Sequence, residues 1–246
     1  MQINKAFIGI IVILSVLLFS ACTNDTANSD VNSSSTEQSE KSITAGENKE
    51  MDVSEFDFYT NSDDKTCSIL RGDEQPKHEI MKIPDEYDGR TVVEIESEGF
   101  KLVEGFNELI IPDTINKIGD NSFAFCLDLE TVDMGNGVEE LGQNAFIGCE
   151  KLKTVMLSNK LTEMPMGAFQ QCAIETITIP SGVQSIKENA FALCESLKEV
   201  HITESVKEIA DTNGPFEGCP NVTIYAPSGS YAEKYAKSKN IPFVAE

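Results

Sequence analysis

Five stretches of this 246-residue chain say nearly the same thing: NSFAFC (121–126), QNAFIGC (143–149), MGAFQQC (166–172), ENAFALC (188–194) and GPFEGC (214–219). Phe100, Phe123, Phe146, Phe169, Phe191 and Phe216 follow one another at intervals of 23, 23, 23, 22 and 25 residues. Three residues after each of the last five Phe comes Cys126, Cys149, Cys172, Cys194 or Cys219, and Val103 stands in for Cys after Phe100. A catalytic motif is needed once, whereas a motif repeated at a fixed period of this length is architecture.

A second pattern runs in phase with the first. Between Cys126 and Phe146 the apolar residues are Leu129, Val132, Met134, Val138 and Leu141, and the next units repeat the columns with Leu152, Val155, Leu157, Leu161 and Met164, then Ile174, Ile177, Ile179, Val183 and Ile186. The piece around Val132 alternates as a strand does. Pro112, Gly135, Ser158 and Pro180 then stop the strand. Two more inward apolar residues lead to a short helical or 3₁₀ turn that carries Phe. One unit holds about seven apolar side chains, worth roughly 14 kcal/mol when buried. Ordering its backbone costs ~1–2 kcal/mol per residue, so a lone unit cannot stand and units must stack, strand beside strand. The fold class expected is a strand-rich repeat solenoid, α/β in class, of about six stacked units of 22–25 residues. In it Phe fills the coil opposite the strand. Ser122, Ala145, Ala168 and Ala190 let neighbouring turns approach, and Cys packs as a compact buried hydrophobe.

The ends read differently. MQINKAFIGIIVILSVLLFSAC (1–22) has one basic residue, an apolar run and small residues before Cys22, the shape of a secretory signal. Its ending, LFSAC, resembles the lipobox of bacterial lipoproteins, in which the Cys sulfur takes a lipid, although Phe19 stands where Leu is usual. Lipid attachment at Cys22 is therefore expected, with an ordinary cleaved signal and a transmembrane anchor as the alternatives. Residues 23–50 are Ser, Thr, Asn and acids, too polar to offset the entropy of ordering, and read as a tether. Residues 51–79 read as an N-terminal cap hairpin, FDFY and CSIL flanking the turn NSDDK, and residues 80–246 as the repeat domain with its C-terminal cap.

The spacing C-x-x-L-x-x-V-x-[LI]-P-x-x-V-x-x-I-x-x-x-A-F-x-x-C resembles the BspA-type (Treponema-type) leucine-rich repeat. The tail NVTIYAPSGSYAEKYAKSKNIPFV is similar to the usual end of such arrays, a last strand (Val222–Tyr225) and a capping helix built on Tyr231, Ala232, Tyr235 and Ala236. The resemblance implies a bacterial surface protein that binds a host or bacterial extracellular protein, and it brings no catalytic residue.

Charge and composition narrow the rest. Residues 51–246 carry 35 acidic and 16 basic residues, a surface that repels nucleic acid. The cysteine column is expected to be a buried thiol ladder, because side chains one strand apart that point the same way are poorly placed for a disulfide. His78 and His201 are the only imidazoles, too few for a zinc cluster, and no metal or cofactor is expected. Arg71-Gly72-Asp73 spells an integrin tripeptide but lies where a turn is due. NSDDK lacks EF-hand spacing. No nucleophile elbow, phosphate loop or zinc-protease motif occurs.

What remains is the outer surface of the stacked strands. Two columns are expected there, Glu108, Thr131, Thr154, Thr176 and Glu199, and Ile110, Asp133, Met156, Thr178 and His201. Extended solenoids often bind through such a face. The expectation is a monomeric, extracytoplasmic, lipid-anchored module, not an enzyme, that binds or adheres through this face, Ile110 and Met156 being its apolar members. The alternatives are an envelope spacer without a ligand and a carbohydrate-binding or enzyme-accessory lipoprotein. The absence of Trp and of aromatics in the two columns argues against carbohydrate.

Overall fold

The chain coils. Each level runs through a strand of three or four residues, a two-residue strand, and a set of turns carrying the repeated Phe. The computed structural model describes residues 53–73 and 78–246. The signal region, Cys22 and the tether lie outside the described residues.

Three surfaces result. On the first, Ile80–Lys82, Glu108–Ile110, Thr131–Asp133 and Thr154–Met156 pair in parallel. A second parallel group joins Thr176–Ile179, Glu199–Ile202, Thr223–Ala226 and Phe243–Ala245. On the next surface the two-residue strands pair likewise: Lys117–Ile118 and Glu140–Leu141 follow the six-residue strand Arg90–Ile95, and Glu163–Met164 pairs with Ser185–Ile186 and then Glu208–Ile209. Core side chains sit between the surfaces, and Phe100, Phe106, Phe123, Phe146, Phe169 and Phe191 are its largest fully buried members.

The third surface, the Phe turns, carries the longest continuous order. Rings 100, 123, 146, 169, 191 and 216 stack with centroids 5.2–5.9 Å apart and planes within 12°. A ladder of backbone bonds accompanies them, the N–H groups of Asn121, Phe123 and Phe125 donating to the carbonyls of Gln143, Ala145 and Ile147, and so on to Leu193 and Glu217. The Phe sits in single turns closed by bonds between residues three apart, such as Ala124 N–H to the Asn121 carbonyl at 3.1 Å, and these turns do not run on into a helix. Left-handed residues interrupt them at two places per level, Asn121 and Phe125, Asn144 and Gly148, Gly167 and Gln171, Asn189 and Leu193. A left-handed residue ends any helix and lets alternate amides point along the solenoid axis.

Both strand ladders break near the middle, at different levels. Thr154–Met156 pairs only with the strand before it, and Glu163–Met164 only with the strand after it. Pro165 explains the second break. Gly119 and Lys187, at the matching position after the short strand, donate N–H to Ile95 and Met164, and Pro165 has no N–H to give. The first break falls where the repeat is one residue short: Cys149 is followed by Glu150, Lys151 and Leu152, but Cys172 only by Ala173 and Ile174. Lacking a neighbour, the strand at 154–156 is poorly covered. Val155 and Leu157, expected in the core, are only partly buried against it.

Both ends are capped. Phe56–Thr60 and Thr66–Arg71 form an antiparallel hairpin whose second strand lies parallel to Arg90–Ile95. The residues inserted into the first unit make another hairpin, Glu86–Tyr87 with Arg90–Ile95, turning on left-handed Asp88 and Gly89. Its Tyr87 ring stacks on Phe58 at 3.8 Å. At the other end helix Tyr231–Lys239 starts at Ser230, whose Oγ accepts the N–H of Glu233, and stops at left-handed Asn240. Ala232, Tyr235 and Ala236 face the core, whereas Tyr231 is exposed. The last strand is Thr223–Ala226, and Phe243–Ala245 adds one more beside it.

Candidate binding face

The strand register decides which residues reach solvent. Leu109, Val132, Ile177 and Val200 are buried, and the residues on either side of each face outward. Glu108, Thr131 and Thr154 are therefore direct neighbours in one column, and Ile110, Asp133 and Met156 in the other. Thr176 neighbours Glu199, and Thr178 neighbours His201. The ladder break divides the ten residues into six and four. Both groups extend further than sequence reading placed them. Ile80 and Lys82 precede the first, and Thr223, Tyr225 and Val244 follow the second.

The two parts differ chemically. Met156, 51% exposed, is the apolar high point of the first, while Asp133 spends one carboxylate oxygen on the N–H of Gly135 at 2.9 Å. In the second, His201 stacks on Tyr225 with centroids 4.8 Å apart, and its Nδ1 lies 3.1 Å from the Glu246 carboxylate. An aromatic ring thus stands in the outer column, a correction to the expectation of none. Sequence reading missed it because the column was followed only as far as His201, although the strand carrying Tyr225 was recognised.

Around this face the lysines are used internally. Lys117, Lys151, Lys153 and Lys198 pair with Glu94, Asp128, Glu130 and Glu175, each partner one turn earlier. The Glu94 carboxylate raises the Lys117 pKa, and Lys151 and Lys198 lower those of Asp128 and Glu175. Such exposed pairs hold little energy each, but they relieve the like-charge stacking that an acidic repeat imposes.

The other candidates resolve locally. Asp63, in the turn NSDDK, accepts the N–H groups of Lys65 and Thr66 and the Thr66 hydroxyl, which lowers its pKa. Its carboxylate thus holds the hairpin turn. Arg71 ends a strand, and the N–H of Gly72 bonds the Glu55 carbonyl at 3.0 Å. His78 lies 3.1 Å from Glu55. Among the described residues no group of three metal-ligating side chains converges. No described helix is long and apolar enough to cross a membrane.

The cysteine column is a built feature. Cys126, Cys149, Cys172, Cys194 and Cys219 are free and buried. Each thiol donates to the carbonyl of the Phe one turn earlier, at 3.1–3.3 Å. That carbonyl also accepts the N–H of its own turn's Cys, as Phe146 does from Cys149 at 3.3 Å. Burial raises the pKa of Cys194 to about 12 and of Cys219 to about 11, and that of Cys172 well above the ordinary thiol value.

These features define a class, the parallel solenoid with a wide shallow strand face and a thiol-bonded Phe spine. The family model for the BspA type leucine rich repeat region matches in 6 copies over residues 81–181 and 162–237. The chain belongs to that family. A leucine-rich repeat protein of Bacteroides ovatus is similar over 72% of this chain and 47% of its own, at 30% identity and TM-score 0.64. A leucine rich cell surface protein of Faecalibacterium prausnitzii is similar over 74% of this chain and 40% of its own, at 24% identity and TM-score 0.51. The chain thus spans less than half the length of either. Among curated proteins nothing matches.

Proposed function

We propose that this protein is a non-catalytic, surface-displayed binding module, held to the membrane by lipid on Cys22, which engages an extracellular protein through its strand face. The observation that carries the reading is the face itself. Short side chains such as Thr131, Thr154, Thr176 and Thr178 leave it shallow, and exposed apolar residues stand on it, Met156 in the first group and Val244 at the end of the second. That suits a broad protein contact with a small apolar centre. Surface display is supported by the family and by the printed description of the Faecalibacterium relative. The test is binding of the full chain to a panel of purified extracellular matrix and surface proteins, beside a glycan array. A protein ligand whose binding falls at least tenfold in Met156→Glu is expected. A ligand found only among glycans, or unaffected by changes on the strand face, would overturn the reading.

The presence of Tyr225 and His201 side by side gives a specific reason to keep carbohydrate as the second reading. The stacked Tyr225 and His201 rings, with the Glu246 and Glu199 carboxylates beside His201, combine an aromatic surface and hydrogen-bonding groups of the kind that hold a sugar. Tyr225→Ala tests it on the same array.

A further inference from the structure

The sheet that begins with the N-terminal cap has an open side. Phe56–Thr60 is its outermost strand, and among the described residues no further strand pairs with it. The hairpin register fixes which backbone groups are left over. Asn61 donates its N–H to the Thr66 carbonyl at 2.9 Å, and Gly72 donates its N–H to the Glu55 carbonyl at 3.0 Å. Bonded pairs alternate along an antiparallel ladder, so Asp57 and Tyr59 also spend their backbone groups inside the hairpin. The N–H and C=O groups of Phe56, Phe58 and Thr60 therefore point away from it.

Edges of this kind are normally blunted by brevity, charge or proline. The outermost strands of the strand face follow that rule. Ile80–Lys82 is three residues long and ends in lysine, and Phe243–Ala245 is three residues long and lies between Pro242 and Glu246. Phe56–Thr60 has five residues, reads FDFYT and carries Asp57 as its one charge. Aromatic and β-branched residues, the types that strands prefer, make up the rest. Tyr59 lies on its outward face, 57% exposed, while Phe56 and Phe58, on the other face, pack into or against the core.

We propose that this edge pairs with the same edge of a second copy of the chain, antiparallel about a twofold axis at Phe58, to give a dimer. The strand is complementary to itself in that arrangement. Phe58 meets Phe58 of the second copy and Phe56 meets its Thr60, so every leftover N–H faces a leftover carbonyl. On the outward face Asp57 stands opposite Tyr59 of the second copy, in the closer, non-bonded kind of pair. The exposed ring is thereby covered, and no two carboxylates stand directly opposite. A slip of two residues loses a bonded pair at one end, and in one direction sets Asp57 against Asp57 of the second copy, so the register about Phe58 is the favoured one. A twofold contact is closed and ends at the dimer rather than growing into a fibre. The dimer departs from the expected monomer and presents two strand faces, which together hold a ligand displayed in several copies.

The test is sedimentation equilibrium of the full chain over a range of concentrations at 150 mM salt, where a monomer–dimer equilibrium is expected. Thr60→Pro removes an N–H that the hairpin does not use and places a ring on the edge. It should weaken the dimer at least tenfold with thermal unfolding unchanged, whereas association through the N-terminal segment would survive it. The register is read from Asp57→Cys combined with Tyr59→Cys under mild oxidation. Closely opposed positions suit a disulfide, so the double variant should form a covalent dimer linked from position 57 to position 59, found by peptide mapping. Either single variant should cross-link far less, because diagonal neighbours are too far apart. A monomer at every concentration, an undiminished dimer in folded Thr60→Pro, or absence of the link between positions 57 and 59 would each overturn the proposal. The cysteine pair carries the decision even if Thr60→Pro does not fold.

Discussion

At the scale of single residues the repeat is explained by what each column must fit. Gly119 and Gly142 stand where turns nearly touch: a Cβ on Gly142 would lie 2.4 Å from the Asp120 nitrogen and from the Gly119 carbonyl carbon. Backbone on both sides cannot yield to that. Gly142→Ala is therefore expected to cost several times the few tenths of a kcal/mol typical of an exposed substitution, read as a lowered urea midpoint with unchanged slope. The thiols make a second residue-scale prediction. Val103 shows that the column tolerates an apolar residue, so Cys194→Val loses one thiol–carbonyl bond at the Phe169 carbonyl and should cost ~1 kcal/mol or less. The pH effect has a definite sign. Burial raises the folded-state pKa to about 12 for Cys194 and about 11 for Cys219, so the neutral thiol is the form the fold favours. Its stabilisation is whole below the unfolded thiol value, near pH 8.5, and is lost as pH rises toward 11–12. Urea midpoints should hold to about pH 8.5 and then fall, less steeply in Cys194→Val. Thiol-specific alkylation of the native protein at pH 8 should be slow and become fast in denaturant.

At the scale of elements, strand orientation was legible because a period of two leaves only two choices, and Val132 and Ile177 could not both face water. The consequence is testable on two neighbouring strands. Met156→Glu lies outside and should shift stability by no more than ~0.5 kcal/mol, whereas Val132→Glu would bury a charge and should unfold the chain at ambient temperature. Comparable losses in thermal denaturation would mean the strand is inside out. The Phe and Cys columns were equally readable, since their spacing is strict. The ladder breaks were harder to see. Pro165 sits one place beyond an element only two residues long, and such elements carry no periodicity. The deletion at 172–174 was visible as the single 22-residue interval, but a lost residue looks like ordinary loop variation until the broken ladder beside it is seen. The strand Phe243–Ala245 escaped for a related reason: behind Pro242, and with no repeat to follow, its pairing depends wholly on where the capping helix delivers it. Tyr225 went unrecognised as part of the binding face because the columns had been built from repeats, and its strand belongs to the cap.

At the scale of the molecule, the solenoid is two strand blocks on one spine. The level from 150 to 172 belongs to both: its longer strand pairs backward with Thr131–Asp133, its shorter one forward with Ser185–Ile186. The elements that cross this level without interruption are the Phe stack, the thiol–carbonyl bonds and the turn ladder. Phe169 is at the centre of that crossing, fully buried and stacked 5.3 Å from Phe146 and 5.6 Å from Phe191. Replacing it by Ala should cost about 3–5 kcal/mol, as should Phe123→Ala, which sits equally buried within the N-terminal block. The two variants should nonetheless unfold differently. In a repeat array stability is shared between units and their interfaces, so a loss at the junction of two blocks uncouples them and a loss inside one block does not. Phe169→Ala is thus expected to melt in two steps, with amide exchange at Leu109 and Val132 separating from that at Val200 and Ile224. Phe123→Ala should lose stability in a single shifted transition or fray from the N-terminal end. One common transition for both variants, with the two sets of amides exchanging together, would show that the strand breaks do not divide the molecule and that the Phe turns alone make it cooperative.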